Sequence, residues 1–402
     1  MPATPRPALF CISSYEKGQA FLREAARLGA DVTLLTTDRL IDADWPRDIL
    51  AEFLTMPPDL TPEQTLNTVA YFARTRRIDR IVALDEFDVE NAALLREHMR
   101  LPGLGQTRMR IFRDKLAMRT EARAQGIPVP EFTGVFHHDE LHRFMQRTPG
   151  PWLLKPRLNA SAMGIKPIHH PDDLWPILEA LGDQQGCYVL ERFLPGEVFH
   201  VEGVTWGGKV LCGIPCQYGR PPIETSHQGG VFTTRNLDPR SADGAALMAI
   251  HRDLIERFEL GDGVTHSEFI KADADGKFYF LETAARVGGA YIADMVEFAT
   301  GVNPWVEWAR IEVALARGAQ YALAPLREDF AGSVISLARQ DEPDTGAYTD
   351  PEIVLRLHKP HHAGLIVASP SADRVKQLLD SYAGRFLEDF CAVLPAPEKP
   401  TS

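Results

Sequence analysis

No apolar run in this chain of 402 residues approaches the ~18 residues that a membrane span needs. The first apolar stretch, Ala8 to Ile12, is too short for the core of a secretory leader and gives way to Ser13-Ser14-Tyr15-Glu16-Lys17. Cysteine is scarce. Cys11, Cys187, Cys212, Cys216 and Cys391 form an odd set with no C-x-x-C, and no second Cys/His pair accompanies Cys212 and Cys216 to complete a zinc site. Reduced thiols and a cytoplasmic location are expected. Positive charge is in deficit, with 43 Lys plus Arg against 55 Asp plus Glu and a net charge of −12. A general attraction for nucleic acid or an anionic membrane is therefore not expected, although a local basic pocket for a small anion stays open.

Two phosphate-binding signatures are missing as well. The Gly-x-Gly-x-x-Gly turn of dinucleotide sites does not follow the first predicted strand, and no Gly-Lys-Ser/Thr closes a Walker loop. Glycine and proline, at 30 each, are ordinary, which excludes collagen-like or low-complexity chains. What is present is 45% hydrophobic and 24% charged residues, enough for a sizeable core over two to four sub-structures.

The first hundred residues alternate short apolar runs with helical patterns. Strands are predicted at 8–12, 32–35 and 81–84, and helices at 18–28, 65–74 and 89–99. This rhythm predicts a parallel sheet with helices on both faces. A long helix is predicted over 108–125, closed by Gly126 and Ile127-Pro128-Val129-Pro130. Strands at 152–155 and 165–168 flank a small-residue loop, and another strand is predicted at 188–192. Two hairpins follow, one turning at Trp206-Gly207-Gly208-Lys209 and one at Asp273-Ala274-Asp275-Gly276. From Ala331 onward a compact α+β segment is expected, with a polar tail at 395–402.

The second hairpin carries the most informative chemistry. Glu268 and Glu282 are equidistant from Asp275, so a symmetric register sets their carboxylates opposite each other. Like charges so placed cost roughly 0.2–1 kcal/mol, and more when partly buried. A divalent cation between them reverses the sign, and oxygen-only ligation points to Mg²⁺ or Mn²⁺. Ala284 and Arg286 share the face of Glu282 if no bulge intervenes. An arginine there suits an anionic reacting group, and Gly288-Gly289 lets a ligand approach the backbone. The bland alternative is a solvated hairpin with two rim glutamates. Lys155 ends a strand before the loop Pro156 to Gly164, whose backbone N–H groups could fold over phosphates. Lys115 alone reads as an exposed charge.

Together these residues resemble the ATP-grasp superfamily, in its carboxylate–amine ligase branch, which includes L-amino-acid ligases. Four blocks carry the resemblance in order. They are Phe112-Arg113-Asp114-Lys115 with the 126–130 turn; Leu154-Lys155-Pro156 through Ser161-Ala162-Met163-Gly164; 189–197, Val-Leu-Glu-Arg-Phe-Leu-Pro-Gly-Glu; and His266-Ser267-Glu268 with 281–289, Leu-Glu-Thr-Ala-Ala-Arg-Val-Gly-Gly. The resemblance implies a mixed α/β and α+β fold of ATP-grasp architecture. It comprises an N-terminal Rossmann-like parallel-sheet domain (1–107), two α+β subdomains clasping ATP (108–187 and 188–330) and a small C-terminal domain (331–402).

It also implies roles. Lys115 and Lys155 would reach the ATP phosphates, and Lys155 the adenine edge too. Asn159, Ser161, Met163 and Gly164 would belong to the loop closing over the phosphates. Glu191, Arg192, Phe193 and Leu194 would form the adenine-reading hinge, and Glu197 would hold the ribose. Glu268 and Glu282 would bind Mg²⁺, with Mn²⁺ as the other candidate, and Arg286 would stabilise an acyl phosphate. The superfamily usually has an Asn ligand two residues after the second glutamate, where this chain has Ala284. Substrate contacts are expected at His227, Gly229, Arg235, Gly288 and Gly289. His227 would bind or deprotonate an amine, and Arg235 would pair with a carboxylate; an ordinary loop histidine and a surface arginine are the alternatives. The pairs His137-His138, His169-His170 and His361-His362 lack partner spacing for a metal. The expected activity is ATP-dependent ligation of a small carboxylate, such as an amino acid, to an amine through an acyl phosphate, by a protein for which a homodimer is a reasonable expectation. A non-catalytic nucleotide-binding protein, and a carboxylase or kinase on the same scaffold, remain as alternatives.

Overall fold

The computed structural model describes residues 5–160, 162–222 and 230–392. Its strands form three sheets. The first is parallel, in the order β3-β2-β1-β4, with β1 Ala8–Ser13, β2 Asp31–Thr37, β3 Glu52–Met56 and β4 Arg80–Ala83. Its strands are mostly apolar because helices cover the sheet: Gln19–Arg27 connects β1 to β2, Pro62–Phe72 connects β3 to β4, and Val89–Met99 follows β4. Gly18 enters the first of these helices at φ 85°, where a Cβ would lie 2.7 Å from Leu84. That close approach brings the loop after β1 against the loop after β4.

The second sheet is antiparallel, in the order β5-β8-β6-β7, with β5 Phe132–Gly134, β6 Trp152–Pro156, β7 Lys166–Ile168 and β8 Tyr188–Arg192. Helices His138–Arg147 and Leu174–Leu181 pack on it through Leu141, Phe144, Leu174 and Leu178. The third sheet has eight strands in the order β13-β12-β9-β10-β11-β14-β16-β15. They are β9 Gly196–Trp206, β10 Lys209–Tyr218, β11 Phe232–Asn236, β12 Gly263–Ala272, β13 Phe278–Ala284, β14 Phe330–Leu337, β15 Ile353–Arg356 and β16 His362–Ser369. The β9–β10 turn places Gly207 and Gly208 at φ 59° and 76°, as a two-residue hairpin with right-handed strand twist requires. Phe199, Val201, Phe269 and Phe280 cover one face of this sheet and pack with Leu247 and Leu254 of helix Ala242–Arg257.

Three features depart from the sequence reading. The helix predicted over 108–125 is two helices, Gln106–Arg110 and Lys115–Ala124. Asp114 breaks it by leaving the helical conformation (ψ 113°) and capping the second helix through Leu116 N and Ala117 N. β8 belongs to the second sheet, beside β6, and the change of sheet comes at Gly196 rather than at 188. β14 and β16 continue the eight-stranded sheet past residue 331, so that sheet unites strands expected in two subdomains. The tail at 395–402 lies outside the described residues. No helix among them is long and apolar enough to cross a membrane.

Candidate functional site

All three sheets contribute to one cavity of about 940 Å³. The parallel sheet supplies Tyr15, Glu16, Lys17, Glu86 and Phe87 from its loops. Lys115, Lys155, Asn159, Met163, Glu191, Phe193 and Leu194 come from the second sheet and its surroundings, and Glu197, Tyr218, His266, Glu268, Glu282, Arg286 and Gly289 from the third sheet and the segment after β13.

Glu268 and Glu282 are direct cross-strand partners on β12 and β13. Nearer the turn the ladder runs Lys271 to Phe278, Ile270 to Tyr279 and Phe269 to Phe280; continued without interruption it would set Leu281 against Glu268. The register shifts there, so Leu281 is an extra, bulged residue. The bulge keeps Phe280 in the core and still turns Glu282 toward the cavity. Beyond it, His266 pairs with Ala284.

Each carboxylate has its own partner. Glu282 Oε2 is 2.9 Å from Lys115 Nζ, which also donates to Asn159 O at 2.6 Å. Lys115 reaches both because the Asp114 cap makes it the first residue of its helix. Burial opposes ionisation of Glu282, but the Lys115 ammonium, helped by Lys155 and Arg119, holds its carboxyl down at about 2. Glu268 Oε1 accepts from Tyr218 OH at 2.8 Å and lies 3.4 Å from His266 Nε2.

Lys155 is buried, and its Nζ donates to Glu191 Oε1 at 2.6 Å. The other Glu191 oxygen takes the Arg119 Nε–H at 2.7 Å, and Arg119 Nη1 donates to the bulged Leu281 carbonyl. Glu191 is 2% exposed, so it is neither a rim charge nor a bare hinge residue. Burial works against its ionisation, and Arg119 with Lys155 more than offsets that, leaving its carboxyl below the usual range. Arg286 Nε donates to Glu86 Oε2 at 2.7 Å, which ties the segment after β13 to the parallel sheet. Arg113 Nη1 approaches the other Glu86 oxygen at 3.4 Å.

Behind Glu268 lies a buried chain of polar groups. Glu202 Oε1 accepts from His266 Nδ1 at 2.5 Å and His200 Nδ1 at 2.7 Å, and His200 Nε2 meets Thr234 Oγ1 at 2.7 Å. His200, Glu202 and His266 are the set of three donors close enough to share an ion among the described residues. Burial opposes the His266 charge, but Glu202 and Glu268 outweigh it and raise the imidazolium to about 10.

The remaining expected residues fall in different places. Asn159, Met163, Phe193, Leu194, Glu197 and Gly289 line the cavity. Arg192 and Gly164 do not; Gly164 turns at φ 70° against Pro156. Arg235 is also outside the lining, with Nη2 bonded to Gln217 Oε1 at 2.7 Å. A Cβ on Gly288 would be 3.0 Å from both Glu202 Oε2 and His266 Nδ1, so that glycine makes room for an internal pair rather than for a ligand. Ser161, His227 and Gly229 lie outside the described residues. All five cysteines are free. Sequence reading missed Arg119, Glu86, Tyr218 and Glu202. The acidic run Asp85-Glu86-Phe87-Asp88 at the end of β4 was the available signal for Glu86.

Comparison with known proteins agrees with this architecture. Residues 22–103 match the ATP-grasp N-terminal domain family. The L-arginine-specific L-amino acid ligase of Bacillus subtilis is 26% identical over 243 residues, which span 58% of this chain and 58% of that relative's length. The crystal structure of an L-amino acid ligase from Bacillus licheniformis has a TM-score of 0.73 at 18% identity, covering 98% of this chain and all (100%) of that one. N5-carboxyaminoimidazole synthetase from Staphylococcus aureus, complexed with ADP, has a TM-score of 0.70 at 16% identity and covers 94% of this chain and 96% of its own. In fold, and in sequence over the matched segments, the chain is therefore similar to ATP-grasp carboxylate–amine ligases, and it spans little more than half the length of the curated relatives it matches.

Proposed function

We propose that this protein is an ATP-dependent ligase that joins a small carboxylate, an amino acid in the simplest case, to an amine. The observation that carries this reading is the gathering of Glu268, Glu282, Lys115, Lys155 and Arg286 around one cavity large enough for a nucleotide and a small substrate. Lys115 and Lys155 bind the phosphates, and the 159–164 segment covers them. Phe193 and Leu194 face the adenine, and Glu197 the ribose. Glu191 acts by fixing Lys155 and Arg119. Two opposed carboxylates at the cavity wall form an oxygen donor set that fits Mg²⁺, so Glu268 and Glu282 would hold it. When bound, that ion neutralises charge on the nucleotide phosphates.

In the first step a carboxylate oxygen of the substrate bonds to the γ-phosphorus, the bond to the β-phosphate oxygen breaks, and ADP departs. Arg286, anchored by Glu86, would support the charge of the acyl phosphate. The amine nitrogen then bonds to the acyl carbon and phosphate leaves. The amine proton passes to a base, a role assigned to His227. Closure of the cavity keeps water from the acyl phosphate.

The test is ADP release with amino acids presented singly and in pairs, with mass spectrometry of the product. Release that requires both a carboxylate and an amine, together with an amide product, supports the ligase. Release with a carboxylate alone or a hydroxyl acceptor turns the reading to the kinase or carboxylase alternative. Nucleotide binding without turnover on any pair turns it to a non-catalytic binder.

A further inference from the structure

The residue at 284 leaves the metal centre one side-chain ligand short of the superfamily's usual set, because Ala284 offers no donor. Across the ladder from Ala284, on the same face of the sheet, stands His266. It is two residues from Glu268 on the same strand and lines the same cavity, with only 8% of its surface exposed. His266, Glu268, Glu282 and Ala284 therefore occupy two cross-strand pairs that neighbour each other on one face, with the Ser267–Thr283 pair between them on the other: two carboxylates, one methyl group and one imidazole.

The ring of His266 is held in the manner of a metal-binding histidine. Its Nδ1 is engaged at 2.5 Å by Glu202 Oε1, a carboxylate with 2% exposure. Glu202 is itself fixed by His200, which is anchored on Thr234. With Nδ1 committed inward, Nε2 is the nitrogen turned toward the metal-site carboxylate, 3.4 Å from Glu268 Oε1. A carboxylate behind the far ring nitrogen is the usual support for a histidine ligand, since it fixes the tautomer and the ring orientation. Glu202 Oε2 is buried with no hydrogen-bond partner among the described residues. That anion is thus committed to the histidine pair and to nothing else in its surroundings.

We propose that His266 Nε2, giving up its proton to solvent as the ion binds, is a third protein ligand of the divalent cation held by Glu268 and Glu282, supplying through the opposite strand the donor that Ala284 lacks. The inference rests on the paired-glutamate metal site proposed above. Its consequence is a change in ion preference. A centre of two carboxylates and one imidazole suits Mn²⁺ better, relative to Mg²⁺, than an all-oxygen centre does, because Mg²⁺ favours oxygen donors and retained waters.

The experiment uses the full chain, labelled with ¹⁵N at histidine only, and titrated with Mn²⁺ in the presence of ADP. Pulsed electron paramagnetic resonance reads whether a histidine nitrogen is bonded to the ion, and the label separates it from nucleotide nitrogens. The expected result is a ¹⁵N coupling in the unsubstituted protein, retained in His200→Gln and absent in His266→Gln. Mn²⁺ affinity should fall by at least roughly tenfold in His266→Gln, with a smaller loss of Mg²⁺ affinity. Mn²⁺ bound without ¹⁵N coupling, in the unsubstituted chain, overturns the assignment of His266 and leaves the paired glutamates standing. Coupling that persists in His266→Gln overturns it too. Failure of the unsubstituted chain to bind Mn²⁺ with ADP overturns the metal site itself and this inference with it.

Discussion

Glu268 and Glu282 face one another across β12 and β13 because Leu281 is one residue too many for a regular ladder. The hairpin must keep Phe280 in the core and turn Glu282 to the opposite face only two positions later, which an unbroken strand cannot do. The bulge solves this, and the Arg119 guanidinium holds the bulged Leu281 carbonyl while its other side meets Glu191. The bulged strand that carries Glu282 and the buried cations Arg119 and Lys155 are therefore parts of one connected arrangement.

Glu282→Gln should abolish turnover, by at least roughly 100-fold. A turnover equal to that of the unsubstituted protein would remove Glu282 from the metal site. The same carboxylate also makes a pH prediction. Lys115 holds it at about 2, below its ordinary 4.5. A depressed carboxyl contributes stability that is fully present above the ordinary value and is lost as pH falls toward the folded one. Lys115→Met should therefore flatten the loss of stability between about pH 4.5 and 2, by on the order of 1–2 kcal/mol after allowance for partial exposure. Thermal midpoints across that acid range, with and without the substitution, check it.

Glu191 balances two buried cations, so its removal should cost more than removal of either partner. Glu191→Gln leaves Arg119 and Lys155 without their shared anion, and breaking such a buried group costs about 3–5 kcal/mol. Lys155→Met should cost less, because Arg119 still neutralises Glu191, yet it should weaken nucleotide binding more per unit of lost stability. Thermal unfolding set beside equilibrium ADP binding for the two variants separates these effects. Equal losses of stability would show that Glu191 is not the hub.

The residues legible in the sequence were those whose partners lie within one hairpin or one loop. Glu268 and Glu282 pair by a symmetric count about Asp275, which the ladder near the turn does not follow and which holds only because the Leu281 bulge shifts the register by one. Lys155 was legible by its place between a strand and a small-residue loop. The bulge could not be counted, because an extra residue in a short strand leaves the apolar pattern nearly unchanged. Arg119 was hidden inside a helical stretch that reads as amphipathic surface, while its acceptors are 72 and 162 residues away. Glu86 and Arg286 are 200 residues apart. His266 stood in a quoted block, but its support by Glu202 depends on the β9–β12 pairing, which no local signal fixes. The helix break at Asp114 was also missed, since a capping aspartate inside a helical pattern resembles an ordinary polar position.

Glu86 touches Arg286 and stands across a sheet boundary from Glu268 and Glu282. Glu86→Gln keeps the shape but removes the charge that fixes the guanidinium, so it should lower kcat by roughly 10- to 100-fold through misplacement of Arg286. ADP affinity should change less than threefold or so, because Lys115 and Lys155 are untouched. Steady-state kinetics beside equilibrium ADP binding provides the check. A parallel loss of nucleotide affinity would mean that Glu86 supports the cavity as a whole and not the arginine.

His251 lies on the face of the large sheet away from Glu268, fully buried, with neither ring nitrogen hydrogen-bonded among the described residues. The hydroxyls of Thr205 and Thr265 are equally unpaired among the described residues, and a Cβ on Gly203 would lie 2.5 Å from His251 Nε2 and 2.5 Å from Thr265 Oγ1, so His251 and Thr265 border the space that the glycine leaves. Burial keeps the imidazole neutral and depresses it to about 4, from an ordinary 6.5. Here the unfolded chain takes up a proton that the folded chain refuses. Stability is therefore highest above pH 6.5 and declines as pH falls toward 4, by up to about 3 kcal/mol from this group. His251→Leu should remove that decline and be neutral or stabilising at pH 5, since an unpaired polar ring gives way to an apolar side chain of similar volume. This window lies above the one set by Glu282, so one series of unfolding curves from pH 7 to pH 2 resolves both. An unchanged slope between pH 6.5 and 4 in His251→Leu would show that the ring is paired in solution, through water shared with Thr265.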